Sequence, residues 1–262
     1  MARMRRVLEY ATRSLVLKRR LPATFNRVPV YISPSAGLGF LFRSVERVDA
    51  PLLRAAADLV CPANIVWDIG ANVGLFTYAA AARGGPSGQV FAIEADTWQI
   101  GLLRRSARIQ PSDSAKVTII PAAVGSQFDI ASFHISRRSR SSSALEGYGQ
   151  SQMGGTAEIQ TVVTLSMDLL SRRLPAPDVV KVDVEGAEGE IFGNSVEFLK
   201  RYRPVVVCEV SDRARQTIQQ VFGSADYLFF DGEQPLRGTL PAQDPPWAMI
   251  AIPREKEMLY RG

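Results

Sequence analysis

The chain has 262 residues, 46% of them hydrophobic and 22% charged, which is ordinary for one large globular domain or one domain with an appendage. No apolar run approaches the ~20 residues of a membrane-spanning helix, and no signal-peptide core follows the basic N-terminus, so we expect a cytoplasmic protein. Two cysteines and one histidine nearly exclude a Cys/His zinc site, and we expect Cys61 and Cys208 to be reduced, buried thiols.

Positive charge is concentrated at the N-terminus. Residues 1–20 carry a net charge of +6, whereas the whole chain carries +5, so the other 242 residues sum to −1. A neutral body lacks the clustered Lys and Arg of a nucleic-acid-binding surface, and no nucleic acid partner is predicted. Apolar residues recur at helical spacing between the arginines: Met4, Val7, Leu8, Ala11 and Leu15. This spacing predicts a basic helix that either packs on the domain or contacts an acidic inner membrane surface peripherally.

The segment after this helix predicts two short strands within residues 27–46, on either side of a Ser-Pro-Ser-Ala-Gly turn. A helix is predicted from Asp49 to Leu59. The chain is therefore divided into an N-terminal extension, residues 1–47, and a main domain, residues 48–262. The extension is expected to cover an edge or the mouth of the main domain.

The stretch NIVWDIGANVGLF, residues 64–76, predicts a buried strand, a tight glycine turn and the start of a helix. Asp68 lies at the end of the strand, and the turn contains Gly70, Asn72 and Gly74. Glycines are needed where the backbone takes a positive φ or where a ligand comes close. Because ligands of open α/β sheets bind at the carboxyl ends of the strands, this turn predicts a small-molecule site.

The spacing of the glycines excludes two common phosphate-binding motifs. It does not fit the dinucleotide fingerprint G-x-G-x-x-G, and no Lys-Ser/Thr follows Gly74 as in a P-loop. The pattern Asp-x-Gly-x-Asn-x-Gly instead resembles motif I of Rossmann-like methyltransferases that use S-adenosylmethionine (SAM). In that group the acid, here Asp68, faces the methionine part of the cationic ligand. The alternative is a plain strand-to-helix turn with a capping aspartate.

A second strand is predicted from Gln89 to Ile93, followed by Glu94. An acid at this point is placed to accept hydrogen bonds from two ribose hydroxyls, and the alternative is a solvated Glu at a helix start. A third strand is predicted from Lys116 to Pro121, and Ala123 lies in the Ala-Ala-Val-Gly segment where that strand ends.

Two alternating strands, residues 128–135 and 158–165, flank a segment rich in Ser, Gly and Arg, residues 136–157. A segment of this length predicts either a lid or a mobile solvated loop. Its arginines could meet an anionic substrate: Arg137, Arg138 and Arg140. His134 is the single histidine, and it is a candidate general base or a structural residue of its strand.

A fourth core strand is predicted from Val179 to Val184, and it carries four charges in or just after it: Lys181, Asp183, Glu185 and Glu188. Burial of charge is costly unless the charge is paired or used. Asp183 and Glu185 fall at the carboxyl end of this strand, where a reacting molecule should lie. The alternative is a structural network of lysine and carboxylates. Pro204 to Cys208 predicts a fifth strand, and residues 227–230 and 247–252 predict a terminal antiparallel pair.

The order of these motifs resembles the FkbM-type SAM-dependent methyltransferases over about residues 45–253. The segments that carry the resemblance are DIGANVGLF, AIEAD, AAVG, DVVKVDVEGAEGEIFG and RPVVVCEV. The resemblance implies an α/β, Rossmann-like class I methyltransferase fold, with a seven-stranded, mostly parallel sheet and helices on both faces. It assigns the SAM turn to Asp68, Gly70, Asn72 and Gly74, the ribose contact to Glu94, and the acidic motifs to Asp183, Glu185, Glu188 and Glu209.

The activity that this resemblance implies is O-methylation of a hydroxyl on a small molecule, a sugar, a glycan or a natural product, with S-adenosyl-L-homocysteine as the second product. A general base is needed, and we rank Asp183 first, Glu185 second and His134 third. A divalent cation held by the carboxylates could acidify the hydroxyl instead, but no metal site is predicted. The alternatives are a nucleic-acid methyltransferase and a non-catalytic SAM-binding scaffold.

Overall fold

A computed structural model describes residues 12, 14–149 and 153–261 of the chain. The strands are β1 (Leu17–Arg20), β2 (Pro29–Ile32), β3 (Ile65–Ile69), β4 (Gln89–Glu94), β5 (Lys116–Pro121), β6 (Ala123–Val124), β7 (Asp129–Ser136), β8 (Ala144–Leu145), β9 (Thr156–Leu165), β10 (Val179–Val182), β11 (Val205–Glu209), β12 (Tyr227–Asp231) and β13 (Ala248–Pro253). The helices are α1 (Gly39–Phe42), α2 (Val45–Val48), α3 (Ala50–Leu59), α4 (Leu75–Gly84), α5 (Thr97–Ala107), α6 (Met167–Arg173), α7 (Glu188–Gly193), α8 (Val196–Tyr202), α9 (Arg215–Ser224) and α10 (Glu257–Arg261).

The central sheet has seven strands in the order β12-β13-β11-β10-β3-β4-β5. The pairs from β11 to β5 are parallel, whereas β13 pairs antiparallel with both β11 and β12. The sheet is therefore mixed and mostly parallel, as predicted. Strands β3 to β5 extend the sheet in one direction and β10 to β11 in the other, so the order reverses between β3 and β10, where α/β proteins bind ligands.

Both faces of this sheet are covered because each central strand is apolar on both sides. Val66 of β3 belongs to the core under α3 and α4, whereas its neighbour Trp67 belongs to the core under α6 to α9. Val179 and Val180 of β10 divide between the two cores in the same way. This division explains the continuous apolar runs of the sequence, which are typical of strands in a parallel sheet.

A second sheet is inserted between β5 and β10, with the order β6-β9-β7-β8. Its long pair β7 and β9 is antiparallel, as the alternating pattern predicts. The inner face of this sheet packs through Phe133, Ile135 and Val162 against Ala95 and Ala123, at the ends of β4 and β5. The insertion therefore lies beside the carboxyl end of the central sheet.

The N-terminal region differs from its prediction. Only one strand forms within residues 27–46, since β2 pairs with β1 instead, and the segment predicted as the second strand forms α1 and α2. A helical turn places Phe40 in the core while Phe42 stays exposed, so the apolar run needs no strand partner. Of the predicted basic helix, residues 1–11 and 13 lie outside the described residues.

The structure also bears on the expected burial of the two cysteines. Cys208 is buried, but Cys61 is exposed, because it follows α3 in a surface turn; the expectation of two buried thiols is wrong for that residue. In the part of the chain that the structure describes, no helix has the length and apolar character to cross a membrane.

Candidate functional site

The glycine turn after β3 is built by close backbone contacts. Gly70 takes φ +73°, and a Cβ atom on it would lie 1.9 Å from the carbonyl oxygen of Asp183. Gly74 takes φ +90° and begins α4, where a Cβ would collide with the side chains of Tyr78 and Leu103. Gly70 is thus required for β3 and β10 to approach each other, and Gly74 for α4 to pack.

Lys181 lies beneath this turn and connects the ends of β3 and β10. Its Nζ donates a hydrogen bond to the carbonyl oxygen of Gly70 at 2.6 Å and lies 3.3 Å from Asp68 and 3.4 Å from Asp183. Burial opposes the charge of Lys181, but the two carboxylates raise its pKa above the ordinary value. Asp68 is fully buried and also accepts a hydrogen bond from Thr77 at 2.5 Å. The network holds Asp183 in place at the end of β10.

Glu94, at the end of β4, is a second buried carboxylate that holds the glycine turn in place. Its two carboxylate oxygens accept hydrogen bonds from the backbone N–H groups of Asn72, at 2.7 Å, and Asp96, at 2.8 Å. These bonds tie the glycine turn to the start of α5. Burial raises the pKa of Glu94 to about 7, although the two backbone bonds oppose that shift.

A narrow cleft of about 50 Å³ opens between these strand ends. Six of the predicted site residues line it: Gly70, Asn72, Glu94, Ala123, Asp183 and Glu185. Asp68 and Gly74 do not line the cleft, because the first points to Lys181 and the second is covered by Tyr78 and Leu103. Asp68 and Gly74 therefore contribute to the shape of the glycine turn and do not face the cleft.

The segment predicted as a lid or mobile loop lies over the cleft, and its described part is ordered. We call residues 137–149 the strap. Nη1 of Arg140, in the strap, donates to both carboxylate oxygens of Asp96, at 2.7 and 2.6 Å; Asp96 is buried and Arg140 is half-buried. Tyr148 donates a hydrogen bond to Glu190. Arg140 is thus paired within the protein, and its contact with an anionic substrate stays a prediction.

A wider cavity of about 260 Å³, which we call the chamber, lies on the other side of the glycine turn. The cleft and the chamber share four lining residues: Asn72, Ser141, Asp183 and Glu185. The two spaces therefore meet at a pair of carboxylates that belong to the end of β10 and the turn after it.

Glu185 of the junction and the nearby Glu209 both have unusual environments. Glu185 has φ +54°, a conformation that non-glycine residues rarely adopt, and burial together with Asp183 and Glu188 raises its pKa to about 7. Glu209, at the end of β11, lines the chamber, where partial desolvation and the charges of Asp183 and Glu185 raise its pKa to about 8. Within the described residues, no group of three or more His, Cys, Asp or Glu side chains is arranged to hold a metal ion.

His134 is not part of this arrangement. It lines a different cavity, beside Tyr148 and Thr156, and its Nδ1 lies 3.1 Å from the hydroxyl of Thr156. The side chain lies on the face of β7 that alternates with Phe133, and Phe133 is the residue that faces the cleft. His134 therefore lies apart from the carboxylates of the junction, which favours its interpretation as a structural residue of β7.

Sequence reasoning also missed residues that shape the site. Asp96 caps the N-terminus of α5 by accepting a hydrogen bond from Trp98 N–H, and Asp49 caps α3 through Leu52 N–H. An Asp just before a helical pattern is a recognisable cap, so the two positions could have been found. Their second roles, pairing with Arg140 and lining the chamber, depend on contacts that are distant in sequence.

The fold and the cleft are those of an α/β protein with a pocket at the switch point of its sheet, formed by a glycine turn and a buried carboxylate. Comparison with known proteins gives the family. The family model described as the methyltransferase FkbM domain matches residues 68–233, and the chain belongs to this family.

Individual relatives are more distant. Hexuronic acid methyltransferase AglP of Haloferax volcanii is 30% identical over 149 residues, which are 55% of this chain and 55% of that protein, so the chain spans about half the length of this curated relative. Methyltransferase FkbM from Methylobacillus flagellatus KT superposes with a TM-score of 0.46 and 14% identity, over 72% of this chain and 42% of that chain. Fibrillarin from Aeropyrum pernix, solved with natively bound SAM, gives a TM-score of 0.41 and 12% identity, over 79% and 73%.

Proposed function

We propose that this chain is a SAM-dependent O-methyltransferase that acts on a hydroxyl of a small molecule, such as a sugar, a glycan or a natural product. The observation that carries the proposal is the junction of the cleft and the chamber at Asp183 and Glu185. Two separate spaces that meet at a carboxylate suit two reactants and a proton acceptor. Membership of the FkbM family supports the same reaction.

The charge of the cleft fits a cationic nucleoside and disfavours a dinucleotide. Its walls contain the carboxylates of Glu94, Asp183 and Glu185, and the single cationic side chain among the described lining residues is Arg140, which Asp96 neutralises. A pyrophosphate would meet carboxylates without a counterion. Gly70 leaves the backbone exposed at the turn, and Glu94 is the candidate to accept hydrogen bonds from ribose hydroxyls.

When SAM is bound, it supplies an electrophilic methyl group on a positively charged sulfur, which leaves as a neutral thioether. The residues of this chain must therefore orient the acceptor hydroxyl and remove its proton. Asp183 is the first candidate base, because Lys181 and the backbone of Gly70 fix its position at the junction. Glu185 is the second candidate. Much of the rate enhancement should come from holding both reactants in one geometry.

The two alternatives are less well supported. A nucleic-acid methyltransferase needs cationic groups for phosphates, whereas carboxylates dominate the charged lining of the chamber. A non-catalytic SAM-binding scaffold would not require carboxylates at the meeting point of two cavities. The hexuronic acid named for the Haloferax relative makes a sugar hydroxyl a reasonable acceptor class for this chain, although the identity between the two proteins is only 30%.

The experiment that tests the proposal is transfer of a tritiated methyl group from SAM to a panel of hexosides, polyols and phenols. We expect transfer with the native chain and a loss of about 10²- to 10⁴-fold in kcat for Asp183→Asn, with a much smaller loss of affinity for SAM, because Glu94 and Glu185 remain in the cleft. A folded, SAM-binding protein that methylates none of the panel would favour the scaffold instead. Near-normal turnover of Asp183→Asn would remove Asp183 from the role of base.

A further inference from the structure

The walls of the chamber come partly from outside the region that matches the family model. Residues from the N-terminal part of the chain form one side: Ala36, Phe40, Val48, Asp49 and Leu52. The family match begins at residue 68, so this side lies N-terminal to the matched region, with Ala36 and Phe40 in the extension and the others at the start of the main domain. The opposite side contains Asp183, Glu185 and Glu209. Selection among acceptors should therefore depend on how the extension and these carboxylates act together.

The charges that line the chamber are strongly unbalanced. Four carboxylates face it, from Asp49, Asp183, Glu185 and Glu209, and among the described lining residues the one cation is Lys181. Lys181 is 4% exposed and already contacts two carboxylates, Asp68 at 3.3 Å and Asp183 at 3.4 Å. The charge of Lys181 is balanced by these two contacts, so an incoming molecule would meet an excess of carboxyl groups. Burial and neighbouring carboxylates raise the pKa of Glu185 to about 7 and that of Glu209 to about 8, so the excess becomes fully negative only above about pH 8.

The arginines of the strap do not correct this imbalance. Arg140 lines the cleft and not the chamber, and it is paired with Asp96. The side chain of Arg137 donates a hydrogen bond to the carbonyl oxygen of Thr156, on β9. Neither Arg137 nor Arg138 lines the chamber. A carboxylate or phosphate on the acceptor would therefore find no counterion.

We propose that the chamber selects an uncharged, hydroxyl-rich ring, a neutral sugar or cyclic polyol, and rejects acceptors that carry a carboxylate or a phosphate. This inference rests on the proposed function of the cleft and the junction, and it names the acceptor class of that site. Asp49 and Glu209 are its specificity-determining residues. The acceptor class thus differs in charge from the hexuronic acid named for the Haloferax relative.

The two kinds of wall suit such a ring. Carboxylates accept hydrogen bonds from hydroxyl donors, and several carboxylates can bind several hydroxyls of one ring. The apolar side chains of Phe40, Leu52 and Phe76 offer a surface for the C–H faces of the ring. The chamber's volume of about 260 Å³ is close to the lower end of the roughly 300–1,000 Å³ of small-molecule sites and accommodates a single ring. An adjoining cavity of about 300 Å³ shares Asp49, Lys181 and Glu209 with the chamber and extends the space.

Asp49 is held in position for this role. Its Oδ1 accepts a hydrogen bond from Leu52 N–H at 3.1 Å, so the carboxylate that begins α3 is fixed at the chamber wall. Asparagine also caps helices, so Asp49→Asn removes the charge and keeps the cap. Glu209→Gln likewise removes a charge while it keeps the shape of the side chain. Both substitutions therefore change the charge of the chamber with little change in packing.

The test measures binding of matched sugar pairs to the full chain loaded with S-adenosyl-L-homocysteine, by ligand-observed NMR titration at about pH 9, where the carboxyl groups of Glu185 and Glu209 are ionised. The probes are the methyl glycosides of glucose, galactose and mannose, each paired with its uronic acid. We expect at least one neutral glycoside to bind and its uronic acid to bind at least about tenfold more weakly, because like charges are brought together. A uronic acid that binds as tightly as its neutral partner would overturn the inference, and so would a chamber that binds none of the probes.

The variants locate the selection. In the double variant Asp49→Asn, Glu209→Gln we expect the preference for the neutral glycoside to fall at least about threefold. The control is Glu197→Gln, which removes a charge from a side chain that is 91% exposed and should leave the preference unchanged. An unchanged preference in the double variant would remove these two residues from the role. Binding of S-adenosyl-L-homocysteine is measured first, since its absence would refute the proposed function, whereas its presence with the wrong sugar preference would refute this inference alone.

Discussion

At the scale of single residues, the site depends on one buried lysine. Lys181 binds the carbonyl oxygen of Gly70 and lies against Asp68 and Asp183, so the glycine turn, β3 and β10 are fixed relative to one another. A buried charge network of this kind is costly to break, since removing one partner leaves a charge without compensation. The alternation of charge and valine in β10 predicted such a network or a reacting group. The structure shows the network, and the reacting group stays a prediction.

Gly70 offers a direct test of this arrangement. In Gly70→Ala the new Cβ would lie 1.9 Å from the carbonyl oxygen of Asp183 at a φ of +73°, so β3 and β10 must separate. We expect a loss of stability of about 2 kcal/mol or more, measured by urea unfolding. Gly101→Ala is the matched control, because a Cβ there meets nothing within 4 Å and the residue lies inside α5. It should be neutral or stabilising by up to about 1 kcal/mol, and equal losses in both variants would contradict the explanation.

Glu94 gives a pH dependence with a defined sign. Burial raises its pKa from 4.5 to about 7 in the folded protein, so between these pH values the folded state binds more protons than the unfolded state. The free energy of unfolding must then decrease as the pH rises from about 4.5 to 7. The contribution of this group is on the order of 3 kcal/mol over the window.

The measurement is urea unfolding at pH 5 and pH 7.5 for the native chain and for Glu94→Gln. The variant loses stability at both pH values because a carboxylate with two backbone partners is altered. We expect its stability to change less between the two pH values than that of the native chain. An identical pH dependence in both proteins would show that Glu94 does not titrate in this range.

At the scale of elements, the strap is the feature that sequence patterns describe least well. Its composition predicted either a lid or a mobile loop, because it is polar and has no periodicity. Its described part is ordered through contacts with distant residues: Arg140 with Asp96, and Tyr148 with Glu190. Such contacts are 40 or more positions apart, and no local pattern encodes them.

Arg140→Gln should loosen the strap. The substitution leaves the carboxylate of Asp96, which is 1% exposed, without its cation. We expect amide hydrogen exchange in residues 137–145 to become at least about tenfold faster, while exchange in the central strands changes little. Arg172→Gln removes an exposed ion pair with Asp168 and should have almost no effect. Unchanged exchange in the strap would mean that Arg140 does not hold it.

At the scale of the whole molecule, most of the central sheet could be predicted from the sequence, whereas the helical turns of the N-terminal region and the fixed position of the strap could not. The strands β3, β4 and β11 follow from apolar runs between turn signals, since burial on both faces leaves a clear trace in the sequence. The segment around Phe40 was mistaken for a strand, because a short apolar run does not distinguish a strand from a buried helical turn. The residues of the cleft that belong to the glycine turn were found for the same reason as β3, whereas Asp49 enters the chamber from an element outside the predicted motifs.

The molecule as a whole is organised around a cleft whose charge suits a cationic nucleoside. The most direct test is calorimetric titration of the purified chain with SAM and, separately, with NAD. We expect SAM to bind at least about a hundredfold more tightly than NAD, since a pyrophosphate would face Glu94, Asp183 and Glu185 without a counterion. Glu94→Gln should weaken SAM binding by about tenfold or more, and Glu197→Gln should leave it unchanged. Equal or tighter binding of NAD, or no binding of SAM by the folded protein, would contradict the assignment of the cleft.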